Sequence, residues 1–162
     1  PIGVTKFKYR LLNGALVVKD KKLVSFSDIN DLKEEVSYDI YSPKGLLLQY
    51  TPKNSPPVAL LWDSNFNYVM AEIVNSIFPS ISNFNFLSGE YDSDLLWSQL
   101  QSVLPNSLIK TYSYKGFSGL LSETSVNGNT IKYDYDMFGR IKYLKNKQGE
   151  FMKKFEYNFK KF

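Results

Sequence analysis

From Thr130 to Leu144 the chain alternates apolar and polar residues with the period of a β-strand. Ile131, Tyr133 and Tyr135 alternate with Lys132, Asp134 and Asp136, so one face is aromatic and the other charged. Met137-Phe138-Gly139 breaks the alternation, and Gly139, which tolerates positive φ, is the natural reversal point. Arg140 to Leu144 resumes the pattern, with Ile141 and Tyr143 expected on the apolar face. Asn146-Lys147-Gln148-Gly149 reads as a second turn. Phe151, Phe155, Tyr157 and Phe159 then mark a third strand, interrupted on that face by Lys153. Short strands joined by glycine turns predict an antiparallel meander.

The same grammar runs upstream. Residues 4–12 and 15–19 read as strands around Asn13-Gly14, a favoured type I′ hairpin pair. Asp20-Lys21-Lys22 and Ser27 to Asp31 read as polar connectors. Glu34 to Tyr41 and Leu46 to Tyr50 form a strand pair about Ser42-Pro43-Lys44-Gly45. After Pro56-Pro57, Val58 to Trp62 is a continuous apolar run suited to a buried strand, and Tyr68 to Val74 follows it. Asn75 to Gly89 has no clear period and is expected to be a loop. One helix stands out: Asp92 or Ser93 caps it, Leu96, Leu100, Val103 and Leu104 form its apolar stripe, and Pro105 ends it. The fold class is therefore mainly β, an antiparallel meander with one short helix over about 92–104 packed on the sheet.

Internal repetition sharpens this reading. Shifting the chain by 94 residues aligns Tyr41 with Tyr135, Gly45 with Gly139 and Leu47 with Ile141, with Ser42 in place of Asp136 and Leu46 in place of Arg140. A stretched copy runs from Tyr114 to Gly119. The whole of 1–162 thus reads as a single β-rich module. Degenerate units lie near 34–50, 107–124 and 130–159, with a helix-containing insertion at about 75–105.

Tyr135-Asp136 followed by Gly139-Arg140-Ile141 resembles the YD repeat of bacterial RHS/YD-repeat surface and toxin-shell proteins. The order of pieces extends the likeness: Leu60-Leu61-Trp62, Ala71-Glu72-Ile73, the helix ending Leu104-Pro105-Asn106, Thr111 to Tyr114, Glu123-Thr124 and Asn127 to Thr130. From about Val36 onward the chain looks like the C-terminal region of long YD-repeat surface proteins of the Bacteroides group. That resemblance implies a β-rich, secreted or surface-attached parent, mostly without assigned biochemistry. It also implies neighbouring YD units of the same parent chain as partners. An opening at Pro1 rather than Met points to a processed product or a cut piece of a longer protein. In an intact parent, the strand from Val4 to Leu12 would then pair with a strand of a preceding unit.

Composition adds three constraints. Aromatics make up 16% of the 162 residues, with 12 Tyr and 12 Phe, which suits half-buried pleated surfaces. The absence of Cys and His removes disulfides, the usual zinc and copper ligands and most nucleophile–base pairs. No apolar run approaches the roughly 20 residues of a membrane-spanning helix. Charge is uneven: from Lys132 to Phe162 nine Lys or Arg stand against four Asp or Glu, within an overall net charge of +4. A basic tail suits phosphate, anionic glycans or lipid headgroups; lysines guarding the solvent face and edge of a meander are the plainer account.

No reaction is announced. Asp134 and Asp136 share the expected strand face at a spacing of roughly 6–7 Å, which glycoside hydrolysis or Ca²⁺ binding could use. Cross-strand ion pairs with Lys132, Arg140 or Lys142 explain them more simply, and Asn127-Gly128-Asn129 reads as a turn rather than an ion loop. Exposed rings are the better functional candidates, since Tyr and Trp stack on sugar faces. Trp62, Tyr133, Tyr135, Phe138 and Tyr143 are the positions to inspect, against the plainer reading that they form the core of a thin sheet. The expectation is a non-catalytic structural or surface-binding module with no cofactor, no metal and no nucleic-acid partner. Alternatives are a carbohydrate-binding module contacting cell-surface glycan or protein, and a glycoside hydrolase.

Overall fold

A computed structural model describes residues 3–26, 30–82, 92–115 and 119–158. Eleven strands follow one another: β1 (Val4–Leu12), β2 (Leu16–Ser25), β3 (Lys33–Tyr41), β4 (Leu47–Pro52), β5 (Val58–Trp62) and β6 (Val69–Val74) precede two helices. After α1 (Phe78–Ile81) and α2 (Ser93–Val103) come β7 (Leu108–Tyr114), β8 (Leu120–Thr124), β9 (Thr130–Tyr135), β10 (Ile141–Asn146) and β11 (Phe151–Lys154). They form one sheet in the order β1 to β11, and every pairing is antiparallel. The predicted meander is what the chain builds.

The turns explain why the order is so regular. At Ser42, Ser125, Asp136 and Asn146 the first turn residue accepts from the amide three residues on and donates to the carbonyl four residues on, at 2.8–3.0 Å. This is a type I turn closed by a left-handed residue, the common three-residue hairpin loop. Its sequence rule, Ser, Asp or Asn first and Gly fourth, is met each time. Gly139 sits at φ +75° and its counterpart Gly45 at +82°. The two turns make the same side-chain bond: Ser42 Oγ accepts the Leu46 amide at 3.1 Å, and Asp136 Oδ1 accepts the Arg140 amide at 3.0 Å. Asn13 and Gly14 both have positive φ, as a type I′ hairpin needs.

The core sits under the helices at the middle of the sheet. One lateral row runs Ala59, Ile73, Ile109; the next runs Leu61, Ala71, Thr111, Thr124, Thr130. Leu96 and Leu100 of α2 are fully buried against this face, and Ile81 of α1 joins them. Asp92 caps α2 by accepting from the Asp94 amide. Of the expected stripe, Val103 instead points outward, 59% exposed, because the helix ends there.

Toward β8 and β9 the core turns from hydrocarbon to hydroxyl. Ser93, at the start of α2, bonds Ser122 at 2.7 Å and Thr124 at 2.9 Å. Ser113 bonds Ser122, Thr124 bonds Thr130, and Thr111 donates to the Ser93 carbonyl at 2.6 Å. All six residues are buried. Every hydroxyl has a partner, which is what makes burying them tolerable.

Several expectations are corrected. Asp20, Lys21 and Lys22 lie inside β2, where Lys21–Glu34 and Lys22–Glu35 pairs at 2.6 Å hold them against β3. The segment expected to be a loop contains α1, with Pro79 in its first turn; the residues from 83 to 89 lie outside those described. The third strand of the YD unit ends at Lys154, so Phe155 and Tyr157 follow it in irregular chain, and Phe159 lies outside the described residues. Residues 116–118 of the Tyr114–Gly119 turn and 27–29 of the Ser27–Asp31 connector are likewise outside them.

Candidate functional site

The YD hairpin borders an open cavity of about 840 Å³ whose wall includes Tyr133, Tyr135, Tyr143, Lys115 and Lys142. Three of the five candidate aromatics therefore line one groove. Trp62 and Phe138 do not. Trp62 is half-buried and donates its indole N–H to the Leu47 carbonyl at 2.9 Å, a strand-bracing role. Phe138 stands at the turn tip, 70% exposed, with the Arg140 guanidinium 5.2 Å from its ring centre.

The ladder decides which way each ring faces. Thr130 points toward α2, so Tyr133 and Tyr135 lie on the other face. On that face β4 and β6 to β9 carry a polar chain. Tyr50 donates to Glu72 at 2.7 Å, Lys110 lies 3.6 Å from Glu123, and Tyr133 donates to Glu123 at 2.9 Å. Tyr135 donates to the Leu120 carbonyl at 2.7 Å. Both phenol tips in the groove are thus committed, and what the pair offers a ligand is ring surface. Burial, reinforced by the Glu123 bond, pushes the Tyr133 phenol up to about 12. Burial also raises Tyr135.

A bulge separates the third tyrosine from the other two. Ile141 pairs with Tyr135, but Tyr143 pairs with Asp134, so Ile141 and Tyr143 do not share the face their spacing implied. Tyr143 instead packs on Phe151, ring centres 4.9 Å apart.

The two aspartates also part company. Asp134 stays on β9 and pairs with Lys145 across the ladder at 2.5 Å. Asp136 leaves the strand to become the first residue of the turn, where it accepts from the amides of Phe138 and Arg140 and pairs with the Arg140 guanidinium at 2.7 Å. Partial burial works to raise its pKa, but these donors outweigh it and hold the carboxyl below its ordinary range. Lys132 reaches Asp92 at the α2 cap instead of either aspartate. The ion-pair explanation holds: Arg140, one of the expected partners, takes Asp136, while Lys145 takes Asp134 in place of Lys132 or Lys142. Lys132 on the charged face of β9 thus meets the helix cap, whereas Tyr133 and Tyr135 line the groove, which Asp134 and Asp136 also border.

The buried hydroxyls are what sequence reasoning passed over. Thr111 and Ser113 share parity with Ile109 along β7, which is the signal that they point inward, and Ser122 and Thr124 stand opposite them on β8.

In fold the chain is similar to parts of Tc toxin assemblies. A structure of the Photorhabdus luminescens Tc holotoxin pore with a mutated TccC3 matches 96% of this chain at 12% identity and a TM-score of 0.52. A crystal structure of TcdB2–TccC3–Cdc42 matches 92% of it at 12% identity and a TM-score of 0.50. In both, this chain spans only 7% of the longer chain. No protein-family model and no curated protein matches the sequence. Identity at this level carries the architecture alone, and the chain has a YD/RHS-like fold.

Proposed function

We propose that this chain is a non-catalytic structural segment of a secreted or cell-surface YD-repeat protein, stacked between neighbouring units of the same parent. The sequential meander carries this reading: each strand pairs only with its neighbours in sequence, and β1 and β11 each keep one side without a partner among the described residues. Such a sheet extends by adding hairpins at either end. The fold shared with Tc toxin chains supports the same role. Catalysis is disfavoured by the two aspartates, each already held by a cation, and by a sequence without Cys or His. Amide exchange on this chain alone and within a longer chain carrying adjoining YD units tests it. Both edges should gain protection in the longer chain; edges equally unprotected in both would refute the stacking role.

A second reading is carbohydrate binding, favoured by one observation: Tyr133 and Tyr135 place ring surface along an open groove that Tyr143 also borders. The groove's volume lies within the roughly 300–1,000 Å³ of small-molecule sites. A panel of neutral and acidic oligosaccharides, followed by titration calorimetry, checks it.

A further inference from the structure

We propose that the groove beside the YD hairpin selects acidic oligosaccharides, binding a carboxylated or sulfated sugar through Lys115 and Lys142 while its rings rest on Tyr133 and Tyr135. This rests on the carbohydrate reading above and adds the ligand's charge. Both lysines line the cavity and are exposed, and neither has a carboxylate partner among the described residues. The two carboxylates at the same cavity cannot neutralise a bound cation or repel an anion strongly, because Lys145 holds Asp134 and Arg140 holds Asp136. With those pairs cancelled, the groove keeps the two lysine charges. Lys142 Nζ also lies 5.2 Å from the Tyr143 ring centre, which keeps an ammonium beside aromatic surface.

A flat anionic ring satisfies both halves of such a site. Apolar sugar faces cover tyrosine rings whose hydroxyls are already spent on Glu123 and the Leu120 carbonyl. The carboxylate or sulfate meets ammonium groups that stay largely hydrated at the cavity rim, so the attraction is modest and weakens with salt. Neutral sugars would gain the stacking and nothing from the lysines.

The test titrates the full chain with tetragalacturonate and a heparin-derived tetrasaccharide, against methyl-esterified tetragalacturonate and cellotetraose. Esterification removes the charge and keeps the ring. An acidic probe is expected to bind on the order of fivefold or more tighter than its neutral counterpart, as two exposed ion pairs allow. Higher salt should narrow that gap, and Lys115→Gln with Lys142→Gln should abolish it while leaving neutral binding unchanged. Both lysines are exposed, so the double variant is expected to fold. Equal binding of acidic and neutral probes, or a preference that survives the double variant, overturns the charge selection and leaves the sugar site standing. Binding of none of the four probes overturns both.

Discussion

Thr124→Val tests whether buried hydroxyls, rather than apolar packing, fix α2 on the sheet. The substitution keeps shape and removes one oxygen. That oxygen bonds Ser93 at 2.9 Å and Thr130 at 3.0 Å, and both partners are buried. Ser93 keeps its bond to Ser122, whereas the Thr130 hydroxyl loses the side-chain bond that satisfied it. Two net hydrogen bonds at about 1 kcal/mol each, with a stranded hydroxyl partly offset by the added methyl, give a loss of about 2–3 kcal/mol. For a chain of this size that is roughly 4–12 °C in melting temperature. Urea unfolding of Thr124→Val, Ser93→Ala and the double variant supplies the measurement. The pair should couple by about 0.5–1.5 kcal/mol, because the two side chains share one bond. A Thr124→Val variant within about 0.5 kcal/mol of the parent chain, or strict additivity of the two changes, would refute the network account.

Other expectations follow from the turns, the core and the phenols. Gly139→Ala places a side chain at φ +75° in open space and should cost about 1 kcal/mol by urea unfolding. Gly128→Ala should cost more, since its Cβ would lie 3.2 Å from the Trp97 ring, which is anchored through its N–H to the Ile109 carbonyl; equal losses would remove the ring's part. Leu100→Ala, emptying a fully buried site, should destabilise by about 2–5 kcal/mol in the same assay. Tyr133 titrates higher folded than unfolded, so its contribution is intact below pH 10 and is lost as pH rises from about 10 toward about 12. Tyr133→Phe should flatten that part of a melting-temperature profile. Asp136 has the opposite sign: its lowered pKa gives stability above the ordinary carboxylate range that disappears as the medium becomes more acidic, and Asp136→Asn should blunt that acid sensitivity.

The sequence made the local rules legible and the long-range ones less so. Turn chemistry is written in single residues, so Asn13-Gly14, Gly45 and Gly139 could be placed by inspection, as could the α2 cap at Asp92. Strand ends depend on partners. Asp20 to Lys22 look like a solvated linker until Glu34 and Glu35 of β3 stand opposite their lysines. Four residues of α1 are too few to show a helical period. The bulge that turns Tyr143 away from Tyr135 leaves no mark in the alternation, because bulging is a property of two paired strands. Of the candidate aromatics, those in the YD hairpin were found through the motif. Trp62 spends its indole N–H on the Leu47 carbonyl, which the sequence could not show, because a partly exposed indole looks the same there whether or not its N–H is already bonded.

A sheet in which strand order equals sequence order has a kinetic consequence. Each hairpin finds its partner only a short distance back along the chain, so little loop entropy is spent before the next pair forms. Folding can then advance as a front, one hairpin templating the next, without waiting for distant segments to meet. The helix pair interrupts this front between β6 and β7, where a long excursion must close before the ladder resumes. That closure is the step at which registration is decided, and the buried serine and threonine cluster makes the correct docking of α2 distinguishable from a slipped one.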